Sequence, residues 1–348
     1  MPPGTLILRA DASVAMGTGH VMRCLALAQA WQDEGGNCVF AMAEATPAVE
    51  NRVRAEKFEV SAVVASPASQ EDAVRVVELA AAHRASWIVV DGYQFDVAYQ
   101  RALKDAGLQV LLVDDGGRCG GYCADFVLDQ SLDASEVQYR NRETHTRLLL
   151  GTSYVMLRRE FRAWRKWKRK TPPVGQRLLV TIGGSDPGGL TLKIITALRR
   201  ASLPGLATTV VVGGSNPRLD ELRRAAGATP SSIDLVCDPP NLPELMAQSD
   251  MAVICAGGTL GELLYMGCPS LSYVRDEVQA KIMARLYAMG AVHNLGAVEE
   301  FDESRLTAAI VELVASQTVR DKMVQMGRKI VDGEGPGRVL HEMLGGPE

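Results

Sequence analysis

What constrains this chain most is a pattern that runs twice. Short apolar runs rich in Val, Ile and Leu alternate with helix-period segments at TLILRA (5–10), CVFAMA (38–43), FEVSAVV (58–64), SWIVVD (86–91), QVLLVDD (109–115) and DFVLD (125–129). After a break the pattern restarts at RLLVTIGG (177–184), ATTVVVGG (207–214), SIDLVCD (232–238), MAVICAGG (251–258) and PSLSYV (269–274). Continuous apolar strands separated by helices predict a parallel sheet with crossover helices, because such a sheet is covered on both faces. Two units are expected, since 348 residues exceed what one core ordinarily organises. The expected architecture is α/β. An N-terminal Rossmann-like domain spans 1–155, a basic linker 156–175, and a C-terminal Rossmann-like domain 176–348, the two domains facing each other across a cleft. The stretch LRREFRAWRKWKRKTPPVGQ (157–176) loses strand patterning, gains charge and ends in Thr171-Pro172-Pro173, which puts the hinge at the prolines.

Several function classes drop out on totals. There is no uninterrupted apolar run of about 18 residues to span a bilayer. The opening residues MPPGTLILRAD carry no basic leader, so a cytoplasmic protein without membrane insertion is expected. A formal net charge of −4 argues against nucleic-acid binding, which needs a basic face. The seven cysteines, 24, 38, 119, 123, 237, 255 and 268, sit mostly in apolar runs and read as reduced thiols. Cys119-Gly-Gly-Tyr-Cys123 offers only half a tetrahedral metal shell, so neither metal nor cofactor is expected. The basic run 162–170, with Trp164 and Trp167, reads as a solvated linker helix, with contact to an acidic membrane surface as the other possibility. A monomer or weak oligomer is expected.

In the first helical segment Val21, Cys24, Leu25, Ala28 and Trp31 fall on one face, with Gln29, Gln32, Asp33 and Glu34 expected outward. In the second half, three strands end in Gly183-Gly184, Gly213-Gly214 and Gly257-Gly258, on the edge where open α/β sheets bind ligands. Asp186-Pro187 and Asn216-Pro217 read as helix caps followed by proline at the first helical position. In ICAGGTLGELLYMG (254–267) a strand, Gly-Gly-Thr and a helix bring free N–H groups and a helix dipole to one point, which suits a pyrophosphate. No Gly-Lys-Ser/Thr follows, so this is not a nucleoside triphosphatase loop. Glu262 has two readings: a carboxylate taking a ribose diol, or the far half of a capping box with Thr259.

The segment RADASVAMGTGHVMRCL (9–25) raises the sharpest question. A dinucleotide fingerprint needs a third glycine where Met22 stands, so Gly17-Thr18-Gly19 is not an NAD loop. His20 at a helix start is either a general base kept neutral by the positive end of the dipole, or a capping group. Tyr93, in Asp91-Gly92-Tyr93, closes a strand on the same edge and either reaches the cleft or packs. Asp11, Asp114 and Asp115 also lie at strand ends, where paired carboxylates suit a metal or acid/base site, yet Asp114-Asp115-Gly116-Gly117 also has the composition of a turn, and a structural role is expected.

Taken together, RADASVAMGTGHVMRCLALA, VVDGYQFD, GTSYVMLRREF, LLVTIGGSDPGGLTLKII, GGSNP and ICAGGTLGELLYMGCPSLSYV resemble the UDP-sugar hydrolases of pseudaminic acid synthesis and their relatives in spore-coat polysaccharide synthesis. The similarity runs in order from about residue 5 to 295. It implies a GT-B architecture related to MurG-type glycosyltransferases, with UDP held mainly by the second domain. It further implies hydrolysis of the anomeric C–O bond of a UDP-2,4-diacetamido-2,4,6-trideoxyhexose, with inversion, on a route to nonulosonic acids such as those of flagellin glycosylation. His20 matches the family's catalytic histidine, Tyr93 its active-site tyrosine and Glu262 its ribose-binding glutamate. Gly17, Gly19, Gly184, Ser185, Asn216, Leu242, Gly257, Gly258, Thr259 and Gln279 are the remaining expected contacts to the substrate or its UDP. A GT-B glycosyltransferase using a UDP-sugar donor is the alternative. One departure stands out: where the family commonly has Asn-Gln near the sugar, this chain reads Val274-Arg275-Asp276-Glu277, with Gln279 slightly later.

Overall fold

The computed structural model describes residues 2–227 and 233–345. The chain divides into two compact units, Met1–Arg159 with Gly333–Glu348, and Glu160–Asp332. The division differs from the sequence expectation in two ways. The chain passes between units at Arg159/Glu160 and not at the prolines, and the last helix belongs with the first unit.

The first unit is built on β1 (Thr5–Ala10), β2 (Asn37–Met42), β3 (Glu59–Ala62), β4 (Trp87–Asp91), β5 (Gln109–Val113), β6 (Phe126–Asp129) and β7 (Arg147–Leu150). Its helices are α1 (Gly19–Asp33), α2 (Pro47–Ala55), α3 (Gln70–Ala82) and α4 (Val97–Asp105). The strand order is β3-β2-β1-β4-β5-β6-β7, all parallel. Alternate side chains serve opposite faces. Leu6 and Leu8 pack with Val21, Leu25 and Trp31 of α1, while Ile7 packs with Val76 of α3 and Leu103 of α4. Arg9 also points inward, and its charge is met by Asp11 and Asp72, each at 2.6 Å. Asp11 therefore has a structural role.

The expected two-sided α1 is corrected here. It is buried from Cys24 through Trp31, and Gln29, expected outward, accepts the backbone N–H of Arg159 at 2.7 Å. Its second cover is the final helix.

The second unit carries β8 (Arg177–Thr181), β9 (Ala207–Val212), β10 (Ile233–Cys237), β11 (Met251–Cys255), β12 (Ser270–Val274) and β13 (His293–Ala297), ordered β10-β9-β8-β11-β12-β13 and parallel. Ser232, the expected first residue of β10, lies outside the described residues. Its helices are α5 (Leu190–Ala201), α6 (Leu219–Gly227), α7 (Leu242–Gln248), α8 (Gly258–Tyr265), α9 (Glu277–Met289), α10 (Glu303–Ala315) and α11 (Gln317–Ile330). The last helix, α12 (Gly335–Leu344), lies in the first unit, where Val339, Leu340 and Met343 enter the core with α1. Leu340→Ala is accordingly expected to destabilise the first unit by about 2–4 kcal/mol through the cavity it leaves, read by denaturant unfolding followed on Trp31 and Trp87.

The basic run is not a solvated helix. After a 3₁₀ segment, Arg159–Trp164, the chain is docked on the second unit. Arg169 donates to the carbonyls of Met246 and Ser249, Arg328 reaches the carbonyl of Trp167, and the buried Arg320 clasps the carbonyls of Pro172 and Pro173. These bonds tie the prolines to one unit, which is why no hinge falls there. Among the described residues no helix is long and apolar enough to cross a membrane.

In both sheets the strand order reverses between the first and fourth strands, β1 and β4 in one, β8 and β11 in the other. Ligands of open α/β sheets bind outside the carboxyl ends at such a switch point, because the loops there diverge to opposite faces. The segments at the two switch points are 11–18 and 92–96 in the first unit, and 182–189 and 256–257 in the second.

Candidate active site

At the first switch point, register sets Ala10 of β1 beside Asp91 of β4. The loop after β1 is closed on itself by Gly17 N–H donating to the Ser13 carbonyl at 2.8 Å, a tight return for which Gly17 takes φ +87°. Only glycine enters that region without strain. Helix α1 then starts at Gly19, where an added Cβ would meet only open space, with Thr18 at the N-cap making no side-chain cap bond. His20 is the second helical residue and is 8% exposed.

The capping reading of His20 does not hold, because its ring bonds Asp91. Nδ1 lies 2.6 Å from Asp91 Oδ1. Asp91 is fully buried, which alone would push its carboxyl up. The Arg23 guanidinium and His20 outweigh burial and hold it at about 2. An ionised carboxylate only accepts, so Nδ1 carries a hydrogen, and in the neutral ring Nε2 is the nitrogen with the lone pair. That tautomer is what a general base needs.

Tyr93 sits edge-on to His20, ring centroids 5.1 Å apart at 81°, with the Arg118 guanidinium 4.2 Å over its own ring. It is 45% exposed, with its ring between the imidazole and the guanidinium. Burial of its inner side raises the phenol above its ordinary value, with Arg23 and Arg118 opposing and Asp115 and Asp91 assisting, so it is a hydroxyl at neutral pH. The pair Asp114-Asp115 splits in role. Asp114 accepts from the backbone of Arg118 and Cys119 and from Tyr122, as a turn residue does, whereas Asp115 pairs with Arg23. Cys119 is occupied with Gln100 and the carbonyl of Gly121. Among the described residues no group of three or more His, Cys, Asp or Glu is disposed to hold a metal ion.

Beside the second switch point two of the glycine turns meet, the one after β8 and the one after β9. A Cβ on Gly213 would lie 2.3 Å from the Gly184 carbonyl oxygen, so close approach dictates glycine at Gly213. Asp186 and Asn216 do shape the turns, though not as expected. The Asp186 carboxylate receives the N–H groups of Leu190 and Thr191, both at 2.9 Å, and Asn216 Oδ1 receives that of Arg218 at 2.9 Å. Their helices start later, at Leu190 and Leu219, so Pro187 and Pro217 precede the helices instead of opening them. Ser185 is buried beside this turn.

Helix α8 starts at Gly258 with Gly257 as its N-cap and no capping side chain. Neither glycine would meet an atom within 4 Å on gaining a Cβ. Thr259 therefore lies inside the first turn, and the Thr259/Glu262 capping box is not formed, since its threonine would have to be the cap. Glu262 is buried on α8. Leu242 opens α7, after Asn241. Gln279 spends its amide oxygen on the N–H of Arg275 at 2.9 Å, holding the turn into α9.

Three residues at these edges were not singled out from sequence. Asp91 as the partner of His20 needed the β1–β4 pairing, and Arg23 needed the α1 register. Arg275, just after β12, reaches past the end of β11 to donate to the Ile182 carbonyl at 3.2 Å, bringing a cation to the edge that holds Gly183-Gly184 and Gly257-Gly258.

No protein-family model matches the chain. It is 24% identical over 276 residues to the UDP-2,4-diacetamido-2,4,6-trideoxy-beta-L-altropyranose hydrolase of Campylobacter jejuni, covering 78% of this chain and 93% of that one. It is 27% identical over 196 residues to the spore coat polysaccharide biosynthesis protein SpsG of Bacillus subtilis, 56% of this chain and 57% of that one. An uncharacterized protein of Methanocaldococcus jannaschii is 24% identical over 276 residues, 77% of this chain and 55% of that one. The chain thus spans little more than half the length of two of the curated relatives it matches. Its fold is shared with Acinetobacter baumannii MurG, at 13% identity and a TM-score of 0.63 over 99% of this chain and 100% of that one. It is also shared with Staphylococcus aureus MnaA in a UDP co-structure, at 12% identity and a TM-score of 0.70 over 98% and 96%. The fold is GT-B: two parallel α/β units, of seven and six strands among the described residues.

Proposed function

We propose that the chain is a UDP-sugar hydrolase that releases UDP and a free 2,4-diacetamido-2,4,6-trideoxyhexose, in a cytoplasmic route to a nonulosonic acid such as pseudaminic acid. The observation that carries the reading is the His20–Asp91 pair at the first switch point, with Nε2 of His20 left as a base. The named activity of the Campylobacter relative supports the substrate class.

In the proposed reaction His20 Nε2 takes a proton from water as the water oxygen attacks the anomeric carbon from the face opposite UDP. The C–O bond to UDP breaks, its electron pair stays on the diphosphate, and the anomeric configuration inverts. General base help of this kind is worth about 10²- to 10⁴-fold. Tyr93 is assigned a hydrogen bond to the sugar beside the base, with Gly17 and Gly19 keeping the loop small enough for the sugar to approach. Diphosphate is a stable leaving anion, so a strong acid is not required.

The second unit is assigned the nucleotide. The N–H groups of Gly257, Gly258 and Thr259 and the dipole of α8 would stabilise charge that develops as UDP departs, helped by Arg275. Gly184, Ser185 and Asn216 would line the phosphates, Glu262 would take the ribose hydroxyls, and the backbone around Leu242 would read uracil. Gln279, held in the turn of Arg275, would set the sugar-side loop. Glu262→Ala is then expected to weaken UDP binding about tenfold or more, measured by calorimetry, since a charged hydrogen-bond acceptor contributes about 1.5–3 kcal/mol.

The glycosyltransferase alternative is favoured by the shared MurG fold. Incubation with the UDP-sugar alone separates the two readings: steady release of UDP is expected, and release only when an acceptor is added would establish the transferase.

A further inference from the structure

Asp91 does not face His20 alone. Arg23, one turn along α1, sets its Nε 2.5 Å from Asp91 Oδ2 and a terminal nitrogen 2.7 Å from Oδ1. That terminal nitrogen is also 3.3 Å from Nδ1 of His20, and the other one bonds Asp115. The guanidinium is thus wedged between two carboxylates and touches the imidazole.

A lone carboxylate at 2.6 Å would favour the imidazolium, and a base already holding a proton cannot accept another. A cation beside the ring works in the opposite sense. Resting on the reading of His20 as the base, we propose that Arg23 is a positioning residue with two tasks. It fixes Asp91 edge-on so that only Oδ1 serves the imidazole, and its charge offsets that of Asp91 so that the ring is free to accept the proton of water.

The surrounding groups leave this balance intact. From α1 come Arg23 and Cys24, whose Sγ is 3.7 Å from Asp91 Oδ2 and whose thiol burial pushes well up, so it is neutral. From the end of β4 come Asp91 and the neutral phenol of Tyr93. From the turn after β5 come Asp115, through Arg23, and Arg118, through its stack on Tyr93. Of these groups two are carboxylates and two guanidiniums, and Asp129 of β6, whose carboxyl is pushed up by burial and by Asp115, is the further acid that Asp115 feels.

The direct test is an NMR titration of the His20 ring in the free protein, alongside the pH profile of turnover. In Arg23→Gln the midpoint is expected to rise by about one unit, with the acid limb of turnover moving the same way, because a neighbouring cation is lost. Arg23→Lys keeps the charge and is expected to return most of that shift while turnover stays low, the fork being gone. An unmoved midpoint in folded Arg23→Gln overturns the proposal. Should that variant not fold, Asp115→Asn leaves Arg23 in place with less compensation, and the midpoint is expected to fall; an unchanged midpoint again overturns it. The titration needs no substrate, so the expected shifts without any UDP release would refute the hydrolase reading alone, and turnover with unmoved midpoints would refute the role of Arg23 alone.

Discussion

His20→Asn is expected to lower turnover of the UDP-sugar by about 10²- to 10⁴-fold while UDP affinity, measured by calorimetry, stays at the wild-type value. The division follows from position. His20 belongs to the first unit, whereas the glycine turns and α8 assigned to UDP belong to the second. A matched fall in UDP affinity would mean that His20 holds the nucleotide instead of activating water.

The second large effect is expected for Asp91→Asn. Asn fits the same space, but it offers an amide N–H as well as a carbonyl. Donation from that amide to Nδ1 would move the ring hydrogen to Nε2 and abolish the base, a loss of about 10²- to 10⁴-fold in turnover. The same change deprives the partly buried guanidinium of Arg23 of one of its two carboxylates, so a lower unfolding temperature is expected too. Turnover rates at a temperature where the variant remains folded separate the two consequences. Unaltered turnover would show that the Asp91 contact only packs the helix.

Much of this arrangement was legible in the residues. Period and composition place the strands other than β7 and β13, because a strand buried on both faces must be apolar throughout, and TLILRA or MAVIC can be little else, whereas the half-buried RLLL of β7 and HNLGA of β13 carry no such signal. The three Gly-Gly strand ends fall on one edge as expected, since each closes a strand of the same parallel sheet. Gln29 departs from the expected outward face because amphipathic periodicity assumes one covered face, and α1 has two covers, one being a helix more than 300 residues later. Nothing local to GPGRVLHEML announces that its apolar face belongs with α1. Arg159 and Asp186 make the same point: a long-range acceptor or a late helix start cannot be read from spacing.

The site shows the same division. Gly17 and His20 announced themselves through type and place, because a glycine return and a histidine at a helix start are unusual together. The partner that makes His20 a base did not. Asp91 is 71 positions away, and only the β1–β4 pairing brings the two within 2.6 Å. Arg23 carries no signal of its own in the sequence, although it is the residue that holds Asp91 as a carboxylate.

The central claim is that water, activated by His20, attacks the anomeric carbon. The most direct measurement is hydrolysis of a UDP-linked 2,4-diacetamido-trideoxyhexose in heavy-oxygen water without any acceptor, with both products analysed by mass spectrometry at early times. The account predicts steady UDP release, the heavy oxygen on C1 of the inverted sugar and none in UDP. Heavy oxygen in the UDP phosphate, or no UDP release until an acceptor is supplied, would contradict it.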